Sequence, residues 1–255
     1  MSFARSTIAR GGRPFYGARL GVLMLETRFP RITGEVGNAN TWPFPVHYKI
    51  VRGASAEHVV RRGAEGLLES FITAAREVIA DGVDGITTSC GFLSIFQQEI
   101  ADACDVPVAT SSLMQARMIQ SMLPKDRRVG ILTISAADLS RAHLDAAGVP
   151  EGAPVVGLED SKEFYRVILN DEPEMDVAQA QQDLLQAAAR LVEQHPETGA
   201  ILLECTNMSP YSFAIAQETG RPVYDIVTFI KWFHSGLRPQ NFGLAARSGH
   251  GFTDV

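Results

Sequence analysis

Short runs of β-branched and apolar residues alternate along this chain with longer stretches in which apolar positions recur every three or four residues. The first pattern suits strands buried on both faces and the second suits helices with one apolar stripe. Strands are expected at 20–25, 47–51, 85–88, 106–109, 129–134, 154–158, 200–203 and 223–226. Helices are expected at 57–80, 94–103, 113–122, 137–147, 176–193, 210–218 and 227–233. The clearest is 57–80, where Val60, Ala64, Leu67, Leu68, Phe71, Ala75, Val78 and Ile79 form a single stripe. Strands alternating with helices predict an α/β fold with parallel sheet covered on both faces.

The pattern also repeats. With Cys90 set against Cys205 and no gaps, Ile86 meets Ile201, Ser94 meets Ser209, Ile100-Ala101 meets Ile215-Ala216 and Pro107-Val108 meets Pro222-Val223, seven identities in 23 positions. Earlier in each half, Arg19-Leu20-Gly21-Val22-Leu23 resembles Arg128-Val129-Gly130-Ile131-Leu132. Two similar lobes follow from this duplication. We expect residues 18–122 and 223–237 in the first lobe and 123–222 in the second, with an N-terminal arm (1–17) and a C-terminal tail (238–255). Cys90 and Cys205 then hold equivalent places, each at the carboxyl end of a buried strand, the edge at which open α/β sheets bind ligands.

Composition narrows the function. A net charge of −6 offers no basic field to nucleic acid or to an anionic membrane, and no apolar run approaches the ~18 residues of a membrane span. The arm carries Arg5, Arg10 and Arg13 without an acid, but has no apolar core of a secretory signal. Three widely spaced cysteines, Cys90, Cys104 and Cys205, argue against a disulfide framework and for a reducing cytoplasm. No C-x-x-C or H-E-x-x-H spacing suggests a metal, so neither metal nor cofactor is expected. The six histidines show no mutual spacing and read as structural or surface residues. Cys104 has no counterpart in the repeat and reads as a small core residue.

Two thiols facing one another suit proton transfer at carbon. A thiol has an unperturbed pKa of ~8.5, close enough to neutrality for modest tuning. At a helix N-terminus it is expected to be tuned downward by free N–H groups, which also stabilise the enolate-like charge left when an α-proton departs.

At these residues the chain resembles the aspartate/glutamate racemase superfamily. Thr87-Thr88-Ser89-Cys90-Gly91 looks like its first catalytic-cysteine motif and Leu203-Glu204-Cys205-Thr206-Asn207 like its second. The resemblance implies two doubly wound, pseudo-symmetric lobes with the active site between them and Cys90 and Cys205 as catalytic acid and base. It also implies a small anionic metabolite as substrate, a homodimer, and a cofactor-independent isomerase of the amino-acid or hydantoin racemase type. Alternatives on the same fold are maleate-isomerase-like or decarboxylase chemistry; a different class would be a metabolite-binding protein without turnover. Candidate substrate-binding residues are Glu26, Thr27, Ser89, Gly91, Phe92, Thr206 and Asn207. Gly91, Phe92 and Asn207 depart from the glutamate racemase pattern, which leaves the substrate open. Glu204 stands where similar racemases carry a small residue and is expected in a salt bridge or at the lobe interface. The loop 34–43 either covers the site, with Asn38 or Asn40 reaching the ligand, or is an ordinary surface loop. Arg52 is a candidate partner for a second carboxylate.

Overall fold

The structure is a computed structural model that describes residue 12 and residues 16–240. Most of the expected arm and tail lies outside the described residues. Strands β1 (Leu20–Leu25), β2 (Val46–Val51), β3 (Gly85–Thr88) and β4 (Val108–Ala109) form one parallel sheet in the order β2-β1-β3-β4. Strands β5 (Arg128–Leu132), β6 (Val155–Val156), β7 (Thr198–Leu203) and β8 (Val223–Tyr224) form a second in the order β6-β5-β7-β8. The sheets repeat one topology, and the register confirms the repeat residue by residue. Gly21 pairs with Ile86 and Ile86 with Val108 in the first sheet; Gly130 pairs with Ile201 and Ile201 with Val223 in the second. All six residues of β1 are buried, as expected of a central parallel strand covered on both faces.

Among the described residues the helices are α1 (Ala56–Arg61), α2 (Leu68–Asp81), α3 (Gln97–Asp102), α4 (Ala116–Met122), α5 (Arg141–Ala146), α6 (Phe164–Asn170), α7 (Val177–Gln194), α8 (Ser212–Thr219) and α9 (Ile226–Leu237). None is long and apolar enough to cross a membrane. Helices α2 and α7 lie over equivalent glycines. A Cβ on Gly21 would sit 3.0 Å from Val78 Cγ2, and one on Gly130 would sit 3.0 Å from Leu191 Cδ2. Close helix–strand approach at these two points explains why both lobes keep a glycine in the central strand. Each fully buried Leu, Ile or Phe, such as Leu23, Ile86, Phe71, Ile131 and Phe164, contributes about 1.5–3 kcal/mol by leaving water.

The expected helix 57–80 is two helices. The chain turns between α1 and α2 at Gly63, Ala64 and Gly66, whose φ angles are +60°, +56° and +74°. Two glycines that adopt the left-handed region readily allow the break, while Ala64 stays buried and so preserves the apparent stripe. The expected helix 137–147 shortens to α5, because residues 136–139 form a turn. Helix α6 was not expected: it is short and follows an acidic, turn-like stretch. Its start is held from elsewhere in the chain by Asp183 of α7, whose carboxylate accepts from the N–H groups of Glu163 (2.7 Å) and Phe164 (3.0 Å).

The last helix crosses back to the first sheet. Ile226, Phe229 and Ile230 of α9 pack with Leu20, Val22 and Met24 of β1. Its entry is fixed by Asp225, which is buried, accepts from Thr228 N–H at 2.7 Å and receives the Ser212 hydroxyl; Thr228 Oγ1 in turn accepts from Asp225 N–H at 3.0 Å. This capping box is expected to contribute to stability in the usual range for such caps. Asp225→Ala should therefore lower unfolding free energy by about 1–2 kcal/mol, read as a shift of the urea midpoint without loss of secondary structure.

Candidate active site

Each thiol follows its strand after one intervening residue, Ser89 after β3 and Glu204 after β7, and each precedes a 3-10 turn, Gly91–Phe96 or Thr206–Tyr211. The backbone geometry is the same in both places. Ser89 N–H donates to Leu23 O (3.0 Å) and Glu204 N–H to Leu132 O (2.9 Å). Strand ends of this kind leave the following N–H groups pointing inward. The Cys90 sulfur faces the N–H groups of Phe92 and Leu93, and the Cys205 sulfur faces the N–H of Asn207. The Asn207 side-chain amide adds a donor 3.6 Å from Cys205 Sγ.

The two turns abut. Thr206 Oγ1 donates to the Ser89 carbonyl at 2.7 Å, and Ser112 Oγ donates to the carbonyls of Leu203 (2.7 Å) and Glu204 (3.1 Å). Gly91 lies directly on Glu204: a Cβ at this position would sit 2.2 Å from Glu204 Oε1 and 2.4 Å from its carbonyl oxygen. The sulfurs are close enough that charge on Cys205 opposes ionisation of Cys90. Cys205 is 8% exposed and Cys90 is partly exposed.

Electrostatics here reverse one expectation. The N–H groups do favour the thiolates, but burial outweighs them. Burial and then the Glu204 carboxyl push Cys90 well above an ordinary thiol, and the same two causes push Cys205 up to about 12. Glu204 is fully buried and makes no salt bridge among the described residues. Its Oε2 accepts from Thr133 Oγ1 at 2.8 Å and its carboxyl also receives the Ile134 N–H, whereas Oε1 is buried without a partner. Desolvation raises its pKa to about 7. Glu204 is the charge acting most strongly on both thiols, and Glu35 adds a smaller effect of the same sign on Cys205.

Glu35 belongs to the loop after β1, which reaches over the second lobe. Gly34 packs on Pro210, and Asp171 at the end of α6 accepts from the N–H groups of Arg28 and Phe29. Glu35 is buried; its carboxylate takes the Gly37 N–H and the Arg31 guanidinium, which also donates to Thr27 Oγ1 at 2.7 Å. Desolvation nevertheless leaves its pKa raised. The Asn38 side chain is spent within the loop, since its Oδ1 accepts from Asn40 N–H and its Nδ2 donates to Arg31 O, and Asn40 is exposed. Glu26 is bound by Arg52 and by Gly53 N–H, so this arginine answers a carboxylate of its own lobe. Phe92 is fully buried edge-on against the His143 ring, 5.2 Å between centroids, and forms wall behind the turn. Ser89, Gly91, Thr206 and Asn207 thus gather at the two thiols, while Glu26 is engaged at the β2 side and Thr27 with Arg31.

Sequence reading passed over Arg31, Glu35, Ser112 and Thr133. The spacing of Arg31 and Glu35, four residues apart, is the one signal available, and it does not reveal burial. Among the described residues no cluster of His, Cys, Asp and Glu could hold a metal ion.

The architecture is that of known enzymes. Arylmalonate decarboxylase superposes with a TM-score of 0.54 at 17% identity over 90% of this chain and 96% of its own. The aspartate racemase of Picrophilus torridus gives 0.51 at 14% identity over 87% and 98%. The resemblance to the aspartate/glutamate/hydantoin racemase superfamily therefore holds at the level of the fold. No protein-family model matches the chain.

Relatives in sequence carry a different name. The dimethylsulfoniopropionate lyase of Durusdinium sp. clade D is 29% identical over 229 residues, 86% of this chain and 75% of its own length. Dimethylsulfoniopropionate lyase 7 of Emiliania huxleyi is 29% identical over 86% of this chain and 67% of its own. The expectation of an isomerase is corrected by these relatives, which are named as lyases. A racemase must return a proton to the opposite face, whereas a lyase departs from the same carbanion by losing a group, so a shared fold does not distinguish them.

The Gly91–Glu204 contact admits no added methyl group without moving buried backbone. Gly91→Ala should cost about 1–3 kcal/mol of stability, measured by denaturant unfolding, and should disturb both cysteine turns together.

Proposed function

We propose that this chain is a lyase that removes a proton α to a carboxylate and expels a leaving group from the β carbon, acting on dimethylsulfoniopropionate or a closely similar sulfonium acid. The observation that supports it most is the likeness to lyases of that substrate across 86% of the chain, in a chain that keeps two thiols beside buried acids. In this reaction a sulfur base takes the C2 proton and the C2–C3 double bond forms. The C3–S bond breaks, its electron pair leaves on dimethyl sulfide, and acrylate remains. Cys205 is the base in this reading, because the Asn207 amide joins a backbone N–H on its sulfur. Cys90, near enough to feel charge on Cys205, bounds the substrate in this reading.

Charge favours a sulfonium over a dicarboxylate. A thiol held near 12 in an acidic pocket ionises poorly on its own, but a fixed positive charge within ~4–6 Å lowers such a pKa by about 1–3 units. A substrate with its cation one carbon from the acidic C–H brings that charge with it. An arylmalonate, with two carboxylates, adds to the repulsion from Glu204 and Glu35.

Purified protein given dimethylsulfoniopropionate should release dimethyl sulfide, seen by headspace gas chromatography, with equal acrylate by proton NMR. Cys205→Ser should reduce the rate by about 10²–10⁴-fold, the usual weight of a general base, and Cys90→Ser should reduce it less. No dimethyl sulfide from folded protein, or carbon dioxide from an arylmalonate instead, would overturn the assignment.

A further inference from the structure

The repeat exposes an asymmetry at the reacting groups. Ser89 and Glu204 are equivalent: each precedes a cysteine and each donates its N–H to the same point of the neighbouring strand. Their side chains also take the equivalent donor. Ser89 Oγ accepts from Leu25 N–H at 2.9 Å, and the Glu204 carboxyl accepts from Ile134 N–H. A hydroxyl therefore suffices to complete this turn. Glu204 puts a whole carboxyl there, satisfies one oxygen with Thr133, and leaves Oε1 buried, unpartnered and against Gly91 of the other turn. A buried polar atom left without a partner is a cost that a purely structural residue would shed.

We propose that Glu204 is a positioning residue that governs how readily the thiol pair ionises: carrying its proton on Oε1 it adds no charge beside the sulfurs, and once ionised it holds both thiols protonated more firmly. The inference rests on the reading that these thiols are the reacting groups. Burial places the carboxyl's ionisation at about pH 7, so the change falls within the working range of a neutral solution. The groups that face this carboxyl are few. Cys205 follows it, Cys90 lies across the junction with Gly91, and the end of β5 supplies the Thr133 hydroxyl and Ile134 N–H. Ser112 binds its carbonyl, and Glu35, tied to Arg31, acts on Cys205 from the loop. The ion pairs of the described residues leave Glu204 without a cation. Its charge is therefore felt by sulfur rather than neutralised, since a like charge nearby disfavours a second ionisation.

The test is read without substrate, in the full chain carrying Cys104→Ser so that two thiols remain. Thiolate ultraviolet absorbance is followed against pH in the parent, in Glu204→Gln and in Glu204→Ser, the latter copying the hydroxyl that the first lobe accommodates at Ser89. Both variants should titrate their thiols at lower pH, by about one unit or more. A midpoint unchanged in either folded variant overturns the proposal. Thr133→Val, which keeps the carboxyl and removes a donor to its charged form, should raise the pH at which the infrared band of the protonated acid disappears; a band absent at mildly acidic pH overturns it equally. Because no turnover is involved, failure of these titrations speaks against Glu204 alone, and failure to release dimethyl sulfide speaks against the assigned reaction alone.

Discussion

The Thr206 hydroxyl donates to the Ser89 carbonyl across a boundary between two sheets that share no strand, and Gly91 seats on Glu204 beside it. The relative position of the two sulfurs depends on this small area of contact. Neither sheet alone makes a site, since each offers one thiol at the end of one strand. Contact this close excludes water, and exclusion of water is what shifts every titratable group in the junction upward. The same packing that aligns the thiols therefore makes them reluctant to ionise.

That reluctance explains much of the surrounding chemistry. Backbone N–H groups and the Asn207 amide favour a thiolate, but buried acids oppose it, and no guanidinium or ammonium lies among the strongest influences on either sulfur. Arg31, the basic group beside Glu35 on the loop after β1, is bound to Glu35 and Thr27. One backbone can thus carry lyase, decarboxylase or racemase chemistry, with the groups around the site rather than the fold deciding between them.

Duplication carries the geometry and divergence within it carries the chemistry. The pairs Gly21 with Ile86 and Gly130 with Ile201 keep identical register in the two sheets, and the N–H of Ser89 and of Glu204 reach equivalent carbonyls. At the junction the halves differ in chemistry: Ser89 stands against Glu204, Gly91 against Thr206 and Phe92 against Asn207. The first lobe contributes a flat glycine and a buried aromatic ring that stays out of the hydrogen bonding, while the second contributes hydroxyl, amide and carboxyl groups.

Strand and helix alternation, the two-lobed repeat and the placing of Cys90 and Cys205 at matched strand ends were all legible in the amino-acid order, because each is a matter of period or spacing along the chain. The break at Gly63–Gly66 was legible in composition but masked by Ala64, which keeps the apolar stripe while the backbone reverses. Other features had no local signature. That Glu35 and Glu204 are buried, that Arg31 is occupied, that Asp183 starts a helix in another segment and that Thr133 meets Glu204 all depend on which surfaces the two sheets bring together. Ionisation followed the same division: spacing put thiols at N–H-rich turns, but their protonation was decided by desolvation and by a neighbouring acid, quantities that exist only once the chain has closed around them.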